Sequence, residues 1–159
     1  MYLYLVRHGE AVQADTADPS MALTPKGILG AEKVAAHLAS LNIKIDLLVH
    51  STKARAKQTA GIFASRLHPS KAVSENGDLG PHSDPLIWAG NLDLLNENVM
   101  LVGHMPFMSR MVSLLSCGLG DESAFAFDNA AVACLGRDYG KWSLLWMISP
   151  AVIRGERQA

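Results

Sequence analysis

The 159-residue chain has only two cysteines, Cys117 and Cys134. Two thiols cannot staple a disulfide-rich domain, and neither sits in a Cys/His spacing that would bind zinc. They read as buried free thiols of a reducing compartment. The chain also lacks a charge excess: 14 Lys and Arg face 15 Asp and Glu, for a formal charge of -1. No basic stripe points to nucleic acid, and no acidic run points to a solvating tail. Long apolar runs are missing too. Ser143 to Ser149 is among the longest, far below the roughly 20 residues of a spanning helix. The opening Met1 to Val6 meets Arg7 at once, without the basic and long apolar regions of a signal peptide. No membrane association is therefore expected, and the expected location is the cytoplasm. Repeats, linkers and low-complexity tracts are absent, so residues 1-159 are expected to form one domain.

What is present suits a packed core, because 49% of the residues are hydrophobic. A chain of this length can bury about 70% of its unfolded surface without a disulfide or metal. Strand and helix signals alternate. Tyr2 to Val6 reads as a buried strand, and Gln13 to Met21 as a polar loop. Thr24-Pro25 is an N-cap with proline at the first helical position. It opens a helix to Ser40 with Ile28, Ala31, Val34, Ala35 and Leu38 on one face. Ile45 to Val49 is a second strand and Lys53 to Leu67 a second helix, ended by His68-Pro69. Ala56, Ala60, Ile62, Phe63 and Leu67 of that helix are available to face the core.

Ala72-Val73 is a short strand, and Glu75 to Ser83 a loop. Asp84-Pro85 starts a helix over Leu86 to Leu95. Val99 to Val102 is a strand, and Pro106 to Leu115 a helix. Ala130 to Leu135 and Trp142 to Ile148 form a hairpin around a Gly136 to Gly140 turn. The polar residues Arg154 to Ala159 are expected to fray. Repeated βα units imply an α/β fold: a three-layer α/β/α sandwich with a mostly parallel central sheet.

Three polar clusters directly follow three of these strands: Arg7-His8-Gly9-Glu10, Ser51 to Thr59, and Gly103-His104. Ligands of open α/β sheets bind beyond the carboxyl ends of the strands, so these clusters are placed to converge. Arginine offers a planar fork of donors for carboxylate or phosphate. Histidine is a neutral nucleophile or a cationic donor near neutral pH. Arg7, Arg55, His8 and His104 together suit a compact oxyanion, best a phosphate. The helix beginning near Lys53 can add its N-terminal N–H groups. The bland reading is better for His37 and His68, on or at the end of helices. His50 reads as structural, and Lys53 as solvated.

These blocks resemble the histidine phosphatase superfamily, also called the phosphoglycerate mutase-like family. The carrying residues are Leu5-Val6-Arg7-His8-Gly9-Glu10, Leu23-Thr24-Pro25-Lys26-Gly27, Ser51 to Ala60 around Arg55, and Val102-Gly103-His104. The short length, and the segment Trp142 to Pro150, look like the branch of SixA-type phosphohistidine phosphatases. The resemblance implies a phosphoglycerate mutase-like fold and a hydrolase that needs neither metal nor cofactor. It implies that His8 is the nucleophile and becomes transiently phosphorylated. It makes Arg7 and Arg55 the clamp on the phosphoryl oxygens, and His104 a donor to the transferring group. Gly9 joins Arg7, Arg55 and His104 as substrate-binding.

Two departures from the family pattern stand out. Ser51-Thr52 replaces the usual Ser-Pro. More important, Leu79-Gly80-Pro81 replaces a Leu-x-Glu whose Glu protonates the leaving group. A poor alkoxide leaving group needs that proton, whereas a protonated imidazole leaving from phosphohistidine does not. Glu75, Asp78 and His82 are the candidate substitutes, with Asp84 better read as a helix cap. The expected substrate is thus a phosphohistidine on a protein domain of the signalling kind, and the expected partner is that phosphorylated domain. The alternatives are a small phosphorylated substrate hydrolysed by a phosphomonoesterase of the same superfamily, or non-catalytic phosphate binding.

Overall fold

A computed structural model describes residues 1–13 and 20–153. Most of the polar loop expected from Gln13 to Met21, and the fraying expected from Arg154 on, lie outside the described residues. The chain order is β1 (Tyr2–Arg7), α1 (Pro25–Ser40), β2 (Leu47–His50), α2 (Ala54–Leu67), β3 (Ala72–Glu75), α3 (Pro85–Asp93), β4 (Val99–Gly103), α4 (Phe107–Cys117), β5 (Val132–Asp138) and β6 (Lys141–Ile148), with a 3-10 turn at Gly77–Leu79. The six strands form one sheet in the order β3-β2-β4-β1-β5-β6. β3, β2, β4 and β1 pair in parallel. β5 and β6 close the sheet antiparallel.

Successive strand side chains point to opposite faces, and here both faces are covered. Leu3, Leu5, Val99 and Leu101 pack under Trp88 and Leu92 of α3 and Phe107, Met108 and Met111 of α4. Tyr4, Val6, Met100 and Val102 pack under Ala31, Val34 and Leu38 of α1 and Ala56, Ala60 and Phe63 of α2. This double burial is why β1 and β4 read as unbroken apolar runs. It also gives the three-layer α/β/α arrangement with its mixed but mainly parallel sheet.

Several expectations are corrected. Ile28 is 43% exposed, because the buried stripe of α1 runs through Gly27, Ala31, Val34, Ala35 and Leu38. On α2, Thr59 joins the buried residues, while Ile62 packs against the core only partly buried. Cys117 is exposed at the end of α4; only Cys134 is a buried thiol. The hairpin turn is tighter than expected. Asp138 pairs with Lys141, and Tyr139 and Gly140 have φ of 44° and 75°. Two central residues with positive φ make the turn whose twist matches paired strands. β3 runs four residues at the sheet edge, all exposed.

Candidate functional site

Arg7 ends β1, and His8 leaves the sheet held by both neighbouring chains. Its N–H donates to Gly103 O at 3.0 Å, and its carbonyl accepts from Ala130 N at 3.1 Å. Gly103 ends β4 and aligns with Arg7. A Cβ at Gly103 would meet Met108 Cε at 2.6 Å and Leu79 O at 2.9 Å, so only glycine lets the following His104 sit against this crossing. β2 ends at His50, and Ser51 N–H donates to Val102 O at 2.9 Å. Arg55 lies in the first turn of α2. Arg7, His8, Arg55 and His104 therefore gather at one sheet end, with the His8 and His104 rings 5.0 Å apart between centroids.

The histidine atoms have assignable roles. His8 Nδ1 lies 2.7 Å from Gly9 O. A carbonyl only accepts, so Nδ1 carries the proton and Nε2 keeps its lone pair. Arg55 Nε–H donates to that Nε2 at 3.2 Å. Burial lowers the His8 pKa to about 4; the bond to Gly9 opposes the shift, and the Arg55 and Arg7 charges add to it. His104 is lowered to about 3, first by burial and then by His8, Arg55, Lys53 and Arg7. Both rings are neutral at pH 7, and the lone pair of His8 Nε2 accepts from Arg55.

A closed ring of bonds joins His8 and Arg55. Gly9 N–H donates to Thr59 Oγ1 at 3.0 Å, and Thr59 O–H donates to Arg55 O at 2.8 Å. With Arg55 Nε on His8 and His8 Nδ1 on Gly9, the circuit runs His8–Gly9–Thr59–Arg55–His8. The Gly9 N–H is thus spent inside the protein. Arg7 Nη1 donates to Phe127 O at 2.6 Å. Burial lowers the Arg7 pKa from its usual value, and nearby Asp128 works against that shift. Burial lowers the Arg55 pKa as well. Ala130 carries a left-handed φ of 60°, a strained conformation for alanine, in the turn that presents Phe127 and Asp128 to Arg7.

Ser51 and Thr59 stood inside the recognised block, but nothing in the sequence assigned their contacts. Phe127 O and Asp128 carried no signal at all, since a backbone acceptor has no residue-type signature. Among the described residues, Arg7 Nε and His104 Nδ1 are buried without a hydrogen-bond partner. Buried polar groups are normally satisfied, and a buried N–H at either position suits an oxyanion.

The candidate acids behave differently. Glu75, Asp78 and His82 are exposed. Asp84 caps α3 through Leu86 N at 3.0 Å, as its bland reading expected. His50 is buried, with Nδ1 3.0 Å from Ser51 O. Lys53 is exposed at the N-cap of α2. A cavity of about 570 Å³ adjoins the His8 loop, lined in part by Glu10, Lys26, Lys33 and Asp128. Among the described residues, no group of three or more His, Cys, Asp or Glu side chains is placed to hold a metal. No helix among them is long and apolar enough to cross a membrane.

Known proteins resemble this chain in sequence and in fold. A model of the histidine phosphatase superfamily (branch 1) matches residues 3–79, and the chain belongs to that superfamily. Its fold is the phosphoglycerate mutase-like fold of those enzymes. The phosphohistidine phosphatase SixA of Escherichia coli (strain K12) is 25% identical over 159 residues, 97% of each chain. A solved structure of the protein histidine phosphatase SixA complexed with tungstate superposes with a TM-score of 0.86 at 25% identity, covering 97% of this chain and 100% of that one. An uncharacterized protein of Picosynechococcus sp. is 32% identical over 126 residues, 74% of each chain.

Proposed function

We propose that this phosphatase removes a phosphoryl group from a protein phosphohistidine, through a phosphoenzyme on His8, with residues 1–159 acting as one catalytic unit. The observation that carries this reading is the pairing of His8 Nε2 with Arg55 Nε at 3.2 Å while Nδ1 is tied to Gly9 O. That pairing leaves an oriented, unprotonated nitrogen beside a cation that can receive phosphoryl oxygens.

The His8 Nε2 lone pair attacks phosphorus, the bond from phosphorus to the leaving imidazole nitrogen breaks, and that nitrogen keeps its electron pair. Arg7, Arg55 and His104 hold the equatorial oxygens, because phosphoryl transfer needs positioning and charge stabilisation. Water then attacks the phosphoenzyme, releasing inorganic phosphate and restoring neutral His8. A leaving imidazole that arrives protonated requires no carboxylic acid, in keeping with Pro81 at the family's glutamate position. The relative that binds tungstate, a tetrahedral oxyanion, supports the same ligand chemistry for this site.

The test is a competition between a phosphohistidine-bearing protein domain and a panel of phosphate monoesters. The phosphohistidine protein should turn over fastest. Faster hydrolysis of a sugar or glycerate phosphate would make the protein a small-molecule phosphomonoesterase instead.

A further inference from the structure

The second histidine has its own orienting partner. Ser51 is 1% exposed, and its Oγ lies 2.8 Å from His104 Nε2. The distance leaves open which atom donates, but hydrogen-bond accounting closes the question. The Lys53 backbone N–H donates to Ser51 Oγ at 3.4 Å. The hydroxyl therefore already accepts once, and among the described residues its own proton has one acceptor in reach, His104 Nε2.

If Nε2 carried the proton, two buried groups would be frustrated. The Ser51 O–H would lack an acceptor. His104 Nδ1 would be a bare lone pair, which a phosphoryl oxygen cannot satisfy because both are acceptors. If Ser51 donates, one group remains: an Nδ1–H with no protein partner. That donor is what an oxyanion accepts. Every unmet buried group costs stability, so the arrangement with one rather than two wins.

We infer that Ser51 is a positioning residue that donates to His104 Nε2 and thereby places the only ring proton of His104 on Nδ1, facing the phosphoryl group. This rests on the phosphatase reading for its purpose and not for its geometry. The relay runs from the α2 N-terminus through Lys53 N–H and Ser51 O–H to His104. It makes His104 a neutral donor whose direction is set before substrate arrives. The two histidines then share one tautomer through different devices, a backbone carbonyl for His8 and a side-chain hydroxyl for His104.

Nitrogen-15 NMR of imidazole-labelled full-length protein at pH 7 tests this, because protonated and bare ring nitrogens resonate far apart. His104 should show a protonated Nδ1 and a bare Nε2. A protonated Nε2, or fast averaging of the two forms, overturns the inference. In Ser51→Ala the resonances should move toward the averaged or opposite tautomer. In that variant kcat should fall about 10- to 100-fold, the loss expected when the partner orienting a functional imidazole is removed, with KM little changed. Ser51→Thr, which keeps the hydroxyl, should restore the tautomer and most of kcat. Ser51→Ala with an unchanged tautomer and full kcat overturns the role. If the wild type never phosphorylates His8, the phosphatase reading fails while the tautomer measurement still decides the assignment.

Discussion

The two sides of the site are built differently. On the α2 side, bonds join residues far apart in the chain: Arg55 to His8, Gly9 to Thr59, His104 to Ser51, all at 3.2 Å or less. On the opposite side, the loop from Asn76 to Asp84 is held largely by bonds to its own neighbours. Asn76 accepts from Asp78 N, Ser83 from Gly80 N, and Asp84 from Leu86 N. Asn76 N–H to His50 O at 2.9 Å, Arg110 Nη1 to Ser83 O at 3.2 Å and the buried Leu79 are its ties to the core. The attacking and charge-stabilising groups are thus preorganised, whereas the region where the family keeps its acid is short-range and exposed. The mechanism proposed above places catalysis on the first side.

Breaking the α2 side should cost most. His8→Ala is expected to abolish turnover in a steady-state phosphate-release assay. Arg55→Lys keeps a charge but loses the planar fork and the Nε–H, and should lower kcat about 10²- to 10³-fold, as losing a charge-stabilising donor does. Thr59→Val keeps the shape and opens the circuit, with an expected kcat loss of up to about 100-fold from small misplacement. Thr59→Ser should recover it. On the loop side, His82→Ala, Asp78→Asn and Glu75→Gln should each leave phosphohistidine turnover nearly unchanged. Loss of a working general acid would instead cost about 10²- to 10⁴-fold, so such a drop in any of the three would merge the two sides into one machine.

The smallest effect is on stability. The folded pKa values of His8 and His104, about 4 and about 3, lie below the ordinary 6.5. Below pH 6.5 the unfolded chain takes up protons on both rings that the fold refuses. Stability is therefore fully present above 6.5 and falls as pH drops toward the folded values. Thermal unfolding from pH 7 to pH 4.5 should show a falling Tm, with a shallower slope in His104→Ala.

The same contrast explains what the sequence made legible. β1 and β4 announced themselves because burial on both faces demands apolar runs. β3 was cut to Ala72-Val73 because an exposed edge strand imposes no such pattern on Ser74 and Glu75. Ile28 falls on the apolar face of α1 by its spacing, but Gly27 takes the buried position nearest the His8 loop. The site residues Arg7, His8, Arg55 and His104 were readable as residue types in clusters after strands. The circuit through Thr59, the hydroxyl of Ser51 and the carbonyl of Phe127 were not, since each depends on partners that only the folded sheet brings together.

The central claim is that His8 Nε2 carries the phosphoryl group. Rapid quench of wild-type protein with a phosphohistidine donor, followed by alkaline-stable mapping of the bound phosphate, addresses it directly. The account predicts an acid-labile phosphate on His8 that forms and decays at the rate of turnover and is absent in His8→Ala. Phosphate on another residue, or full turnover with no enzyme-bound phosphate, would contradict it.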